Sequence, residues 1–206
     1  MNSIQRNVDK RQFGNQKGIS TTHCLVDIYH NLVSGACIPN NVSTLALTDF
    51  TKAFDMVNHE IAIDKLLELG VSPAIVQWIA SFVTSRQQRV RYKQTFSDWH
   101  TLFGGVPQGT KLGPVVFLAY INNAVDSTQN KCWKYVDDLT INENRHINGV
   151  SRIQADLNNL NDWALANKIH LNPSKCSTMQ VYFGGKKSSV CSIFHFECSS
   201  TTGSLC

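Results

Sequence analysis

Leu25, Ile28, Tyr29, Leu32 and Val33 recur at helical spacing, which predicts a helix through about Ser34. Ser20-Thr21-Thr22 offers its N-cap, and Gly35, Pro39 and Asn40-Asn41 end it. Val42, Thr44, Leu45, Ala46 and Leu47 then predict a short strand running into Asp49-Phe50. His59 to Leu69 reads as an amphipathic helix stopped by Gly70. Ser72-Pro73 opens a second helix with Ile75, Val76, Ile79, Phe82 and Val83 on its inner side. Val115 to about Ala124 predicts another. Val150, Ile153, Leu157, Leu160 and Ala164 repeat at three and four, giving a helix to about Asn167 whose exposed side carries Asn and Asp.

Between these elements the pattern changes character. From Arg86 to Trp99 basic residues alternate with β-type ones, so Arg89, Arg91 and Lys93 are expected on one strand face, with Tyr92 and Phe96 between them. Such a face suits a phosphate backbone and equally suits a solvated hairpin. Gly104 to Pro114 packs glycines and prolines closely enough to specify one backbone path. Trp133, Tyr135 and Val136 before Asp137-Asp138, and Leu139, Thr140 and Ile141 after, predict a hairpin with the two carboxylates at its tip. Leu171 to Lys175 turns into a strand from Cys176 to Phe183. The whole reads as α+β, a mostly antiparallel sheet covered by helices.

Charge and composition add little. The formal charge is +4 over 206 residues, which permits a nucleic-acid partner without requiring one. No apolar run is long enough for a membrane span, and the N-terminus has no signal-peptide core, so the expected location is intracellular, nucleus or cytoplasm, and not secreted. The seven cysteines are scattered without a CxxC and read as free thiols. Cys191, His195, Cys198 and Cys206 match no standard zinc spacing.

The chemistry concentrates at the acids. Adjacent carboxylates repel, and a divalent cation with hard-oxygen preference relieves them; the alternative is a solvated Asp-Asp turn. If Asp49 ends one strand beside that hairpin, three carboxylates meet at one sheet end and can hold two cations for phosphoryl transfer. A polymerase, a nuclease or a cyclase would fit.

Five motifs in order narrow the choice. Phe50-Thr51-Lys52-Ala53-Phe54-Asp55 after Asp49, Gly105-Val106-Pro107-Gln108-Gly109, Tyr135-Val136-Asp137-Asp138 and Leu171-Asn172-Pro173-Ser174-Lys175-Cys176 resemble reverse transcriptases, most closely those of non-long-terminal-repeat (LINE-type) retrotransposons. Gln12-Phe13-Gly14 with Gly18-Ile19-Ser20-Thr21-Thr22-His23 resembles that group's fingers segment, and the likeness runs from about residue 11 to 183. The resemblance implies a polymerase palm with helices packed on one face of its sheet, plus partial fingers. It implies Asp49, Asp137 and Asp138 as ligands of two Mg²⁺ (or Mn²⁺) ions, with the Phe50 carbonyl as a backbone ligand. Phe54 would be the steric gate under the sugar, where core packing is the competing role. Gln108 and Gly109 would lie against the incoming nucleotide and template. Arg89, Arg91, Lys93, Tyr135 and Val136 would touch nucleic acid. Lys175 would protonate the pyrophosphate or simply neutralise phosphate. The implied partners are an RNA template, a DNA primer and deoxynucleoside triphosphates.

Thr48, Lys111 and Val136 depart from the family's usual residues without removing a catalytic group. The expected division is partial fingers over 1–40, palm over 41–185 with inserted fingers strands at about 84–104, and an irregular tail over 186–206. Triphosphate-gripping fingers motifs, a thumb and an endonuclease are not read here, so an inactive, truncated remnant that at most binds nucleic acid is the rival expectation.

Overall fold

The computed structural model describes residues 7–182. In chain order the elements are α1 (Thr21–Ala36), β1 (Asn41–Thr48), α2 (His59–Glu68), α3 (Pro73–Val83), the short strands β2 (Gln87–Gln88), β3 (Arg91–Tyr92), β4 (Thr95–Phe96) and β5 (His100–Thr101), then α4 (Leu112–Tyr120), β6 (Lys131–Tyr135), β7 (Asp138–His146), α5 (Ile153–Ala166) and β8 (Ser177–Tyr182). The long strands form one sheet in the order β6-β7-β1-β8, each neighbouring pair antiparallel.

Register decides the faces. Ala46 stands opposite Ile141 and Thr48 opposite Leu139, so these side chains share one side of the sheet. They meet the main core, built from Leu66 of α2, Val76 and Ile79 of α3, Phe117 and Tyr120 of α4, and Leu157 and Leu160 of α5. Leu47 and Thr140 alternate to the opposite side, where Cys24, Leu25 and Ile28 of α1 lie beside Trp133. The sheet therefore carries the palm-type helices on one face and α1 across the other. Among the described residues no helix is long and apolar enough to cross a membrane.

Local chemistry sets the helix boundaries. Asn58 caps α2, its side chain accepting from Ile61 N at 3.1 Å, and Pro73 takes the first turn of α3, where a missing N–H costs nothing. Helix α4 begins at Leu112, ahead of the expected Val115, because Pro114 is tolerated among first-turn residues whose N–H groups lack intrahelical partners. It stops at Tyr120, and turns carry the chain through the buried Ile121, Ala124 and Val125. Val150, expected in the last helix, is 89% exposed and outside it. The start is set from β7: buried Glu143 accepts from Ser151 Oγ at 2.6 Å and from Arg152 N, fixing the residues just before Ile153. The supposedly exposed polar side of α5 also holds Asp156, which is 1% exposed and accepts from Gln129 N (2.8 Å) and Asn130 N (3.0 Å).

Two strand expectations need correction. The basic strand over 89–93 is not continuous: Arg91-Tyr92 pairs with Thr95-Phe96, and Lys93 occupies the turn at φ 54°. The acidic hairpin turns on Val136-Asp137, and Asp138 already pairs with Tyr135 as the first residue of β7. The expected strand end at Phe183, the tail over 186–206 and its Cys/His grouping lie outside the described residues. Cys24, Cys37, Cys132 and Cys176 are free thiols.

Candidate active site

Asp49 leaves the end of β1 one residue beyond Thr48, which pairs with Leu139; Asp138 stands one residue before Leu139. The register of β1 and β6 on β7 thus brings Asp49, Asp137 and Asp138 to one end of the sheet. The segment after α5 closes the other side. Thr51 N donates to His170 O and Asn172 N to Asp49 O, both at 2.8 Å, and the bridge between Phe50 and Leu171 leaves the Phe50 carbonyl outside that pairing. Asn172 O then accepts from Lys175 N at 3.1 Å, a turn that brings the Lys175 ammonium to 3.0 Å from Asp49 Oδ2.

The acids influence one another. Partial burial, then the charges of Asp137 and Asp49, push Asp138 above the usual carboxylate range, with Lys175 opposing. Lys175 rises in turn, through Asp49 first and then the hairpin acids. Asp49 Oδ2 is buried and receives no hydrogen bond, only the adjacent ammonium. A buried carboxylate oxygen beside two further carboxylates, with a cation already drawn onto it, is a hard donor set that fits a divalent cation. The three acids are nevertheless not drawn into a coordination set: among the described residues no three His, Cys, Asp or Glu side chains are arranged to hold a metal ion as they stand.

The loop after Asp49 and the glycine-rich turn, through Lys52, Phe54, Asp55, Pro107, Gln108, Gly109 and Pro114, line a pocket of about 340 Å³. Phe54 is half-buried and stacks on Phe117 with ring centroids 4.5 Å apart. It combines a packed face with a place on the pocket wall. Gly105 N donates to Val57 O at 2.8 Å and Val106 N to Phe54 O at 2.9 Å, binding the glycine-rich turn to the loop after Asp49. A Cβ on Gly105 would sit 2.8 Å from Asp55 O, and its φ of 77° independently favours glycine. Gln108 donates to Asp55 Oδ1 at 2.9 Å, while Gly109 faces open space.

The basic residues stand apart from this cluster. Arg89, Arg91 and Lys93 are exposed, with the Arg89 guanidinium 3.9 Å from the Phe96 ring centre and 4.5 Å from that of Trp99. Arg91 shares the Phe96 ring at 5.6 Å, and Lys93 lies 5.4 Å from Tyr92.

Sequence reasoning missed what lies behind the hairpin. Residues 11–13 add a parallel stretch along β6, through Lys134 N to Arg11 O and Phe13 N to Lys134 O, both at 2.8 Å. Lys134 is wholly buried, its ammonium reaching Asp9 Oδ2 at 2.7 Å and the carbonyls of Asn122 (2.5 Å) and Ile121 (3.2 Å). Burial pushes the Lys134 ammonium down, against the support of Asp9. A signal existed: Cys132 and Lys134 alternate with Trp133, so period two puts Lys134 on the core side. For the bond from Val136 N to Gln12 there was none, because the two residues lie 124 positions apart.

Comparison with known proteins follows the same lines. A family model described as "Reverse transcriptase (RNA-dependent DNA polymerase)" matches residues 1–193. The chain is 24% identical to the probable RNA-directed DNA polymerase from transposon X-element of Drosophila melanogaster, over 82% of this chain and 19% of that protein. It is 25% identical to the RNA-directed DNA polymerase from mobile element jockey of Drosophila funebris, over 85% and 20%. The chain thus spans about a fifth of the length of these relatives. Among solved structures, telomerase from Candida tropicalis in complex with a fragment of telomeric RNA matches with a TM-score of 0.63 at 13% identity, covering 87% of this chain and 31% of that one. Telomerase from Candida albicans gives 0.61 at 14%, covering 91% and 32%. At those identities the likeness is one of fold, and the fold is that of a polymerase palm.

Proposed function

The chain belongs to the reverse transcriptase family, its relatives being RNA-directed DNA polymerases of non-long-terminal-repeat retrotransposons, and from that premise we propose that residues 41–185 form the palm that extends a DNA primer on an RNA template. Residues 1–40 contribute part of the fingers. The observation that carries the reading is the meeting of Asp49, Asp137 and Asp138 at one sheet end, where the three acids raise one another's charge cost and Lys175 is drawn onto Asp49.

Asp49 and Asp137 would be the shared ligands of two Mg²⁺ ions, with Asp138 and the Phe50 carbonyl completing the set. When bound, the ions supply Lewis-acid stabilisation to attacking and leaving oxygens. The chain's own residues supply position. Phe54, braced by Phe117, closes the pocket wall against a 2′-hydroxyl, while Gln108 and Gly109 let the nucleotide and template approach the backbone. The primer 3′-hydroxyl then attacks the α-phosphorus of a deoxynucleoside triphosphate as pyrophosphate leaves. Lys175, kept protonated by the acids around it, offers the leaving group a charge or a proton. Tyr135 and Val136 flank the primer end, and Arg89 and Arg91 meet the nucleic-acid backbone.

The Lys175–Asp49 ion pair also favours a second reading, a remnant that binds nucleic acid without catalysis, because the lysine already neutralises the first metal aspartate. Calorimetric titration with Mn²⁺ separates the two. The wild-type chain binds, and Asp137→Asn weakens binding about tenfold, the loss expected for one charged ligand worth on the order of 1–2 kcal/mol. Identical binding by both proteins, or none by either, overturns the metal site.

A further inference from the structure

The turn that presents Asp137 is held by a residue from the other end of the chain. Val136 adopts φ 60°, a left-handed conformation that β-branched residues avoid. Gln12 lies against it, 3% exposed, and its Oε1 accepts from Val136 N at 3.1 Å and Gly14 N at 2.8 Å. Both donors fall on the oxygen, which fixes the amide's orientation, while Nε2 is buried without a partner. Gly14 makes the approach feasible, since a Cβ there would sit 2.5 Å from Val136 N and Cγ2. Bonds on either side of Lys134 lock the register, so Gln12 cannot slide along β6.

We propose that Gln12 is a positioning residue for Asp137: its side-chain oxygen holds the Val136 amide and fixes the left-handed turn from which Asp137 stands beside Asp49 and Asp138. The inference rests on the reading of Asp137 as a metal ligand and adds a part outside the acidic motif. Gln12 touches no reacting group; it acts through one backbone amide.

The test uses the 206-residue chain and two readouts, amide hydrogen exchange at Val136 and calorimetric Mn²⁺ affinity. Gln12→Met keeps volume and removes the acceptor. It should leave the fold intact, speed Val136 exchange about tenfold or more, and weaken Mn²⁺ binding about three- to tenfold. Adding Val136→Gly should restore Mn²⁺ affinity while exchange stays fast, because glycine takes positive φ unaided. A merely structural glutamine would not be rescued at the metal by a change of turn residue. Unchanged exchange at Val136 overturns the proposal, and so does fast exchange with unchanged Mn²⁺ affinity. If Gln12→Met alone fails to fold, Gln12→Met/Val136→Gly must fold and bind Mn²⁺ like Val136→Gly, and its failure to do so also overturns it. A wild-type chain that binds no Mn²⁺ instead removes the metal reading of Asp137; the exchange measurement needs no metal and still decides whether Gln12 holds the turn.

Discussion

Lys134-Tyr135 and Arg91-Tyr92 are nearly the same dipeptide, each in a short antiparallel strand, yet one cation is fully buried and the other fully in solvent. The difference lies in what stands behind the strand. β6 belongs to a four-stranded sheet with a helix layer beneath it, and Lys134 points into that layer, where Asp9 and two helix-end carbonyls receive it. Among the described residues β3 has one partner two residues long and no layer beneath it, and Arg91 rests on the Phe96 ring. A buried cation holds neighbouring segments in place because leaving it unpaired is costly. An exposed cation on an aromatic ring stays available to another molecule. The acidic hairpin is built to stay put, and the basic one keeps its cations accessible.

The largest effect should come from breaking the buried side of this pair. Lys134→Ala leaves Asp9 short of a partner and the Asn122 carbonyl without its donor, while Ile121 O keeps Ala124 N at 3.1 Å, and we expect a loss of roughly 3 kcal/mol in urea unfolding. Arg11 keeps its ion pair to Asp9, which prevents a larger loss. Arg91→Ala, by contrast, should stay within about 0.5 kcal/mol of wild type. Comparable losses at the two positions would dissolve the distinction.

A second buried cation sharpens it through pH. Lys65, packed against Trp163 with its ammonium 4.8 Å from the ring centre, is pushed by burial from 10.5 to about 8. Between those values the unfolded chain holds a proton that the folded chain has lost. Stability therefore rises with pH across that window, and below it the full cost of burying the charge is present. The expected gain is roughly 1–3 kcal/mol between pH 8 and 10.5. Subtracting the curve for Lys65→Met isolates this lysine from Lys134, which titrates in the same direction. A flat difference curve would mean that Lys65 is solvated after all.

How much of this was legible follows from what each feature depends on. Helices α1 to α3 rest on periodicity and caps within their own segments, and their starts fell where the sequence placed them. The acidic motif kept Asp137 and Asp138 together by adjacency, whereas Asp49 reaches Asp138 only through the register of β1 on β7, which no local pattern sets. Asp156 and Glu143 were misplaced or unseen because their partners are backbone amides at 129–130 and 152, which no local pattern names. Gln12 depends on a contact across the chain. The basic strand misled for the opposite reason: its alternation is genuine, but among the described residues no layer packs against it to impose a strand, and the chain turns at Lys93.

The smallest change in stability should accompany the clearest change in salt response. Arg89 and Arg91 both lean on Phe96, whose π-face orients the guanidiniums without taking up their N–H donors, apart from one bond from Arg91 Nε to Lys93 O at 3.1 Å. If that face meets a phosphate backbone, each contact releases counterions, and the slope of log affinity against log salt records how many. Arg89→Ala and Arg91→Ala together should flatten the slope by about 1.5 to 2 units on an RNA–DNA hybrid, with unfolding stability moved by about 1 kcal/mol or less. Fluorescence anisotropy across a sodium chloride series reads the slope directly. Weaker binding at every salt concentration with the slope preserved would assign the hairpin to base stacking through Phe96 and Trp99. Unchanged affinity and slope would leave Arg89 and Arg91 as solvated cations, and the contrast with Lys134 would then be one of burial alone, with no bearing on nucleic acid.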